Sequence, residues 1–252
     1  MLTHSYAYDS ILADSIRVGW RVDDIIGGDQ KLDFSKNFLP EGLAGVQGLA
    51  FLSDTERRTL NQIRGNSYLY LFGFVEEFIL PFVLGEALGT VHGDSSETRA
   101  LVRFADEEAK HIDLFRRFAG AFGAGFGTKC GVIGPASEEA QHARVDTLLV
   151  ARLAIEAGPA GIAKAFDDYL DIAVMLGGAL AAQVDLDIAA LTAATGRVFT
   201  DEERAQIFAA QQKSYRWTFL VSGATHPNFV RALNELSPEG AAKIAGVAAA
   251  LA

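Results

Sequence analysis

The chain has 252 residues, enough for one large or two small domains with a sizeable core, and its half-apolar, 21% charged composition excludes a disordered chain. Lys and Arg number 22 against 32 Asp and Glu, a net charge of −10, which argues against nucleic acid and anionic membranes as partners. The single cysteine, Cys130, excludes an intrachain disulfide and a cysteine-based zinc cluster.

Apolar residues recur mostly at steps of three and four, so the chain is expected to be all-α. Residues 1–52 are the least periodic and are expected to form a short helix and a wrapping arm; they open with no basic segment followed by an apolar core, so no signal peptide is expected. Residues 53–252 then read as a single helical domain. Ser53 and Glu56 form a capping box that starts a helix running to about Leu88, with Gly89 as its stop. Asp94 and Glu97 start a second helix, to about Ala121. Residues 120–136 hold six glycines and a proline and are expected to be a long loop. Ser137 starts a third helix to about Ala157, and Gly158-Pro159 punctuates. A fourth stretch covers 160–195, with a break expected at Gly177-Gly178. Its longest apolar run, near 172–182, falls short of the ~20 residues of a membrane helix, and a cytoplasmic protein without a membrane partner is expected. Thr200 and Glu203 cap a helix through about Val221, Pro227 ends that region, and Ser237-Pro238 starts an Ala-rich terminal helix.

Two segments share one spacing: Glu108-Ala-Lys-His111 in the second helix and Glu139-Ala-Gln-His142 in the third. Residues three apart lie on one helix face, so each Glu and His can reach one metal ion together. Two such pairs, with a Glu from each of two further helices, make the carboxylate-bridged two-metal site of a four-helix bundle. Leu101, Phe104, Glu108, His111, Phe115 and Phe118 follow core spacing, and burying the Glu and His without a partner is costly. The first helix adds Glu76 and Glu77 inside an otherwise apolar run from Tyr68 to Leu84. Measured along the chain from a turn at His92, Glu77 and Glu108 fall at nearly the same level of an antiparallel hairpin, and Glu76 fits equally well. Glu77 is preferred, because in both Glu-Glu-Ala-x-His segments the second Glu is the one spaced to pair with the His. Pro81 cannot donate to the carbonyl of Glu77, so a kink is expected there.

The segments Tyr68–Val83 (YLYLFGFVEEFILPFV), Phe104–Phe118 (FADEEAKHIDLFRRF) and Glu138–Asp146 (EEAQHARVD) resemble the ferritin-like non-haem di-iron proteins, closest to the p-aminobenzoate N-oxygenase-like branch, and the likeness covers most of residues 40–230. The resemblance implies a ferritin-like helical bundle and two iron ions (Fe2+/Fe3+), with manganese as the alternative. It implies an oxidoreductase that activates O2 to oxygenate a small-molecule substrate, by N-oxygenation or hydroxylation. The implied metal ligands are Glu77, Glu108, His111, Glu139 and His142. No flavin or nicotinamide motif is visible, so an external electron donor is expected, and a homodimer is a candidate assembly.

The sequence departs from that pattern in one respect. The family arrangement has four ligand helices, and here only the Gly-rich loop lies between the two Glu-x-x-His helices, so the bundle is expected to be partial or modified. Glu139 also falls in the first turn of its helix, whereas Glu108 lies several turns beyond its cap at Asp94. Asp167, Asp168 or Asp171 could fill the vacant slot, and a solvated acidic face is the favoured reading of these three. The alternative function is a non-catalytic helical remnant with a weak or empty metal site. Iron storage is a third reading, for which no assembly surface is visible. His92, His226, Tyr215 and Trp217 read as structural or surface groups, and Cys130 has no base beside it.

Overall fold

The computed structural model describes residues 6–28, 30–132 and 142–251, the side chains of 142–155 excepted. The described residues are all-α, as the periodicity predicts: α1 (Tyr8–Arg17), α2 (Val22–Ile25), α3 (Glu41–Ala44), α4 (Asp54–Thr90), α5 (Ser95–Phe126), α6 (His142–Thr195), α7 (Asp201–Arg216), α8 (Ser222–Ala224), α9 (Pro227–Leu236) and α10 (Pro238–Leu251). A π-helical turn, Trp217–Val221, joins α7 to α8.

The caps explain the boundaries. The Ser53 N–H donates to Glu56 Oε2 at 2.7 Å and the Glu56 N–H to Ser53 Oγ at 3.2 Å, closing the box that starts α4. Asp94 accepts from the Ser96 N–H at 2.9 Å ahead of α5, and Thr200 and Glu203 form a second box ahead of α7. Inside α6, Gly158 leaves the helical region at φ 64°, so α6 is two helices meeting at Gly158-Pro159.

Three expectations about helix boundaries are corrected. The glycine-rich segment stays helical to Phe126 and stops at Gly127 (φ 86°). The reason is packing: Phe122 is buried and stacks on Phe126 at 4.6 Å, while Phe34 packs on both rings, and a Cβ at Gly125 would run into Phe34. Gly177-Gly178 does not break α6: the one backbone departure inside it is at Gly158, and a Cβ at either glycine would meet nothing closer than ordinary contact. Pro227 starts α9 rather than ending a region, since a proline at the first helical position has no donor to lose, and His226 Nδ1 accepts the Asn228 N–H at 3.3 Å.

The chain divides into two compact units, Lys36–Gly65 with Leu149–Ala252, and His4–Ser35 with Asn66–Leu148. His4–Ser35 thus falls in one unit and the rest of the N-terminal segment, from Lys36, in the other. In the first unit, Asn61 holds the backbone of Phe38 and Leu39 (2.7 and 2.9 Å), and Gln211 and Ser214 of α7 hold the carbonyls of 43–45. Its core carries a polar thread. The Tyr215 hydroxyl donates to Asp187 at 2.8 Å, Gln183 donates to the same carboxylate at 2.8 Å, and the Arg64 guanidinium lies 3.9 Å from the Tyr215 ring centre; all four residues are fully buried. The stretch Glu156–Thr195 is long and apolar enough to cross a bilayer, which corrects the shorter run counted above. Leu180, Val184, Ile188 and Leu191 of that stretch are buried in the unit together with Gln183 and Asp187, while Ile172, Val174 and Met175 are exposed.

In the second unit α1 and α2 lie along α5. The turn between α4 and α5 is closed by Gly93 N–H to Thr90 O at 2.9 Å and by the Thr98 hydroxyl to Thr90 O at 2.9 Å. This turn sets the register of the antiparallel pair α4 and α5, and with it the height of every side chain on their facing sides.

Candidate metal centre

The buried face of α4 in the second unit runs through Tyr68, Leu71, Glu76, Val83, Ala87 and Thr90. Glu76 occupies a core position on that face and is fully buried. On α5 the stripe Leu101, Phe104, Ala105, Glu108 and His111 is buried, with the acid and the imidazole one turn apart. The two helices bring Glu76, Glu108 and His111 together. His111 Nδ1 lies 3.2 Å from Glu108 Oε2 and 3.3 Å from Glu76 Oε1, and one ligand atom from each of the three falls within 4.8 Å of the others. Glu76 and Glu108 are 0% exposed and His111 1%.

Glu77, the preferred ligand of the sequence reading, is placed elsewhere. It is exposed and receives a hydrogen bond from Arg116 at 2.8 Å. The helix step of about 100° separates the two neighbours, and it is Glu76 that meets α5's buried stripe. The reason the sequence hid this is that α4 is apolar on both sides. Phe74, Phe78 and Phe82 lie on its exposed face, Phe78 at 67% exposure, so the inward phase is not marked by a polar outer face. Distance from the turn held the answer: Glu76 and Glu108 are equally far from His92 along the chain, one before it and one after.

Glu139 lies outside the described residues, as does the side chain of His142, whose backbone opens α6. Asp167 and Asp168 pair with Lys243 (3.2 Å) and Lys164 (2.7 Å), and with Asp171 they lie exposed on α6, as a solvated acidic face would. His92 is exposed.

The surroundings of the triad are aromatic. The Trp20 indole stacks on the His111 ring with centroids 5.6 Å apart and planes at 17°, and Phe115 approaches the same ring at 6.2 Å. Nothing in the sequence reading singled out Trp20, since it lies in the aperiodic N-terminal segment and far from His111 along the chain. Phe115 also lines a cleft of about 230 Å³ between α4 and α5, together with Tyr70, Gly73, Glu77 and Arg116. At the far end of the stripe, Arg117 binds Asp113 (2.8 Å) and Asp23 (2.6 Å), and its hydrogen bond and charge hold the Asp23 carboxyl below the ordinary aspartate range.

Two carboxylates this close in a dry site repel each other, and a buried charge needs a partner. A divalent cation meets both conditions. Carboxylate oxygen with imidazole nitrogen suits iron, manganese or zinc, and the donor set therefore fits a metal of this class. Comparison with protein-family models, with characterised proteins and with solved structures finds no match to this chain.

Proposed function

We propose that the chain is a di-iron oxidoreductase of ferritin-like type that uses O2 to oxygenate a small organic substrate, by N-oxygenation or hydroxylation. The observation that carries the reading is the full burial of two carboxylates and one imidazole within 4.8 Å, on facing sides of an antiparallel helix pair. Glu76, Glu108 and His111 would hold one side of the centre, and Glu139 and His142 are the sequence candidates for the other. Iron bound there would supply O2 activation, with electrons from an external donor.

The chain's own residues do the rest. Glu108 and His111 present their ligand atoms from one face of α5, and Glu76 meets them from α4, so the donors are fixed by rigid helices rather than loops. Trp20 and Phe115 cover the His111 ring and all three donors are buried, which keeps bulk water from the reacting centre. The cleft lined by Tyr70, Glu77 and Phe115 contains none of the three donors and meets them only through Phe115, which touches His111; it is the candidate place for a small substrate.

A second reading, a helical remnant without metal, is favoured by one feature. His111 Nδ1 is within hydrogen-bond reach of both Glu76 and Glu108, so the three side chains can hydrogen-bond one another without an ion. Metal content separates the two. Protein produced with iron supplied should carry about two irons per chain, with the ferric absorption band of an oxidised di-iron centre, if the site is complete. Protein that emerges metal-free under the same conditions, and takes up none on anaerobic incubation with Fe2+, is the remnant.

A further inference from the structure

We propose that Trp20 is a positioning residue of the metal centre, carried by a strap, Tyr8–Ile26, that closes over His111 and must lift for metal to enter or leave. The inference rests on the metal reading of the Glu76, Glu108 and His111 group and assigns a role to a segment outside the ligand helices.

The strap follows α5 in register. Tyr8 and Asp9 bond Glu97 and Ser96 at the start of α5 (3.0 and 2.6 Å), Trp20 covers His111 in the middle, and Asp23 and the Ile26 carbonyl bond Arg117 towards its end (2.6 and 3.3 Å). The two segments therefore run in the same direction, and the indole falls over the imidazole because both ends of the strap are tied. Trp20 itself is held between two groups of α5: its ring stacks on His111, and Lys110 Nζ lies 4.9 Å from the indole centre while bonding Glu107. The indole N–H is buried with no hydrogen-bond partner among the described residues, so the ring is retained there for its flat face and not for its donor. Contacts with both Trp20 and Phe115 leave the His111 ring little freedom to turn.

The strap is also the part built to open. Between α1 and α2, residues 18–21 have no helix and are exposed or half-buried, while Leu12, Val22 and Ile26 are buried anchors on either side of them. Its ties are hydrogen bonds and ion pairs, and both ends of the Asp23–Arg117 pair are well exposed. α1 is packed along α5, so the opening falls on residues 18–21: a non-helical segment held by exposed polar ties opens locally while the helices beneath it stay folded. Salt screens such ties, so opening should accelerate with ionic strength.

The test uses Co2+ as the probe, with its visible d–d absorption, in the full chain carrying Trp217→Phe; Trp217 is half-exposed in the other unit, and its removal leaves Trp20 as the one indole. Co2+ uptake should quench the Trp20 fluorescence strongly, because the indole stacks on a ligand ring. Release of Co2+ to excess chelator should be about 10–100-fold faster with Trp20→Ala and close to the parent with Trp20→Phe, which keeps a flat ring. Arg117→Ala should also speed release, and raising salt to about 0.5 M should speed it in the parent but much less in Arg117→Ala. Circular dichroism of each variant checks that the helices are intact. A Co2+ band with unquenched Trp20, or with release unchanged in Trp20→Ala, overturns the strap and leaves the metal reading standing. If the parent shows no Co2+ band, both fall together.

Discussion

Replacing Glu76 by Gln separates a metal centre from a closed hydrogen-bonded triad, because the two readings give opposite signs in the metal-free protein. Gln keeps an oxygen acceptor towards His111 Nδ1 and removes one negative charge. The carboxylates of Glu76 and Glu108 are at most 4.8 Å apart through their ligand oxygens. At an effective dielectric constant of about 20, two unit charges at that distance repel by about 3.5 kcal/mol. Without metal, that repulsion is relieved by the substitution, so Glu76→Gln should leave stability unchanged or raise it. With metal the sign reverses. An ion at about 100 times its Kd stabilises the native state by about 2.7 kcal/mol, which for a chain of this size is a Tm rise of roughly 5–10 °C. Glu76→Gln should lose most of that rise. Thermal unfolding with and without anaerobic Fe2+ or Mn2+, followed by circular dichroism, reads both effects. The reasoning is refuted if the wild type gains nothing from excess ion. It is refuted equally if Glu76→Gln costs, without metal, the ~1–3 kcal/mol of a broken buried hydrogen-bond network.

Glu77→Gln should leave the metal-dependent rise intact, since Glu77 is exposed and tied to Arg116; equilibrium metal titration checks this. Glu56→Gln should destabilise the first unit in a pH-dependent way. Burial raises the Glu56 carboxyl, but the Ser53 hydrogen bonds and Arg197 outweigh it and hold the group below its ordinary value. A depressed folded value means that the stabilisation is complete above about pH 4.5 and is lost as pH falls through the folded value, so the Tm gap between variant and wild type should narrow towards about pH 3. Gly240→Ala should lower stability by about 1–3 kcal/mol, because a Cβ there would sit 2.5–2.6 Å from the ring of buried Phe166; chemical denaturation measures it.

Helix starts were legible because capping chemistry is local. Ser53 with Glu56 and Thr200 with Glu203 name their helices within a single turn of sequence, and the structure forms both boxes. Where a helix goes on through glycine was not legible, because the deciding contact is remote: Phe34 against Phe122 and Phe126 keeps residues 120–126 helical. The same divide runs through the site. The Glu108-x-x-His111 pair is an i, i+3 pattern and could be read directly. The choice between Glu76 and Glu77 needed the phase of α4, and that phase was masked by Phe74, Phe78 and Phe82 on its outer face. Trp20 reaches His111 only through tertiary structure, and no local pattern marks it.

Charge decides how much of a two-metal centre the α4–α5 pair can hold alone. Glu76 and Glu108 neutralise one divalent ion, and His111 adds a neutral donor. A second ion brings two more positive charges, and Glu139 as a third carboxylate leaves the pair of ions at a net charge of about +1. The second ion therefore depends on Glu139, on His142 and on a hydroxide or further acid, while the first does not. Removing the two halves should then have unequal effects. Glu139→Gln with His142→Ala should lower iron content from about two per chain to about one, because the buried triad remains electrically complete. Glu108→Gln should lower both, because it breaks the triad that gives the first ion its neutral site. Iron content by elemental analysis, after anaerobic loading and removal of free metal, distinguishes the two. Equal losses from both variants would mean that the ions bind as one cooperative unit, and the charge argument for an independent first site would fail.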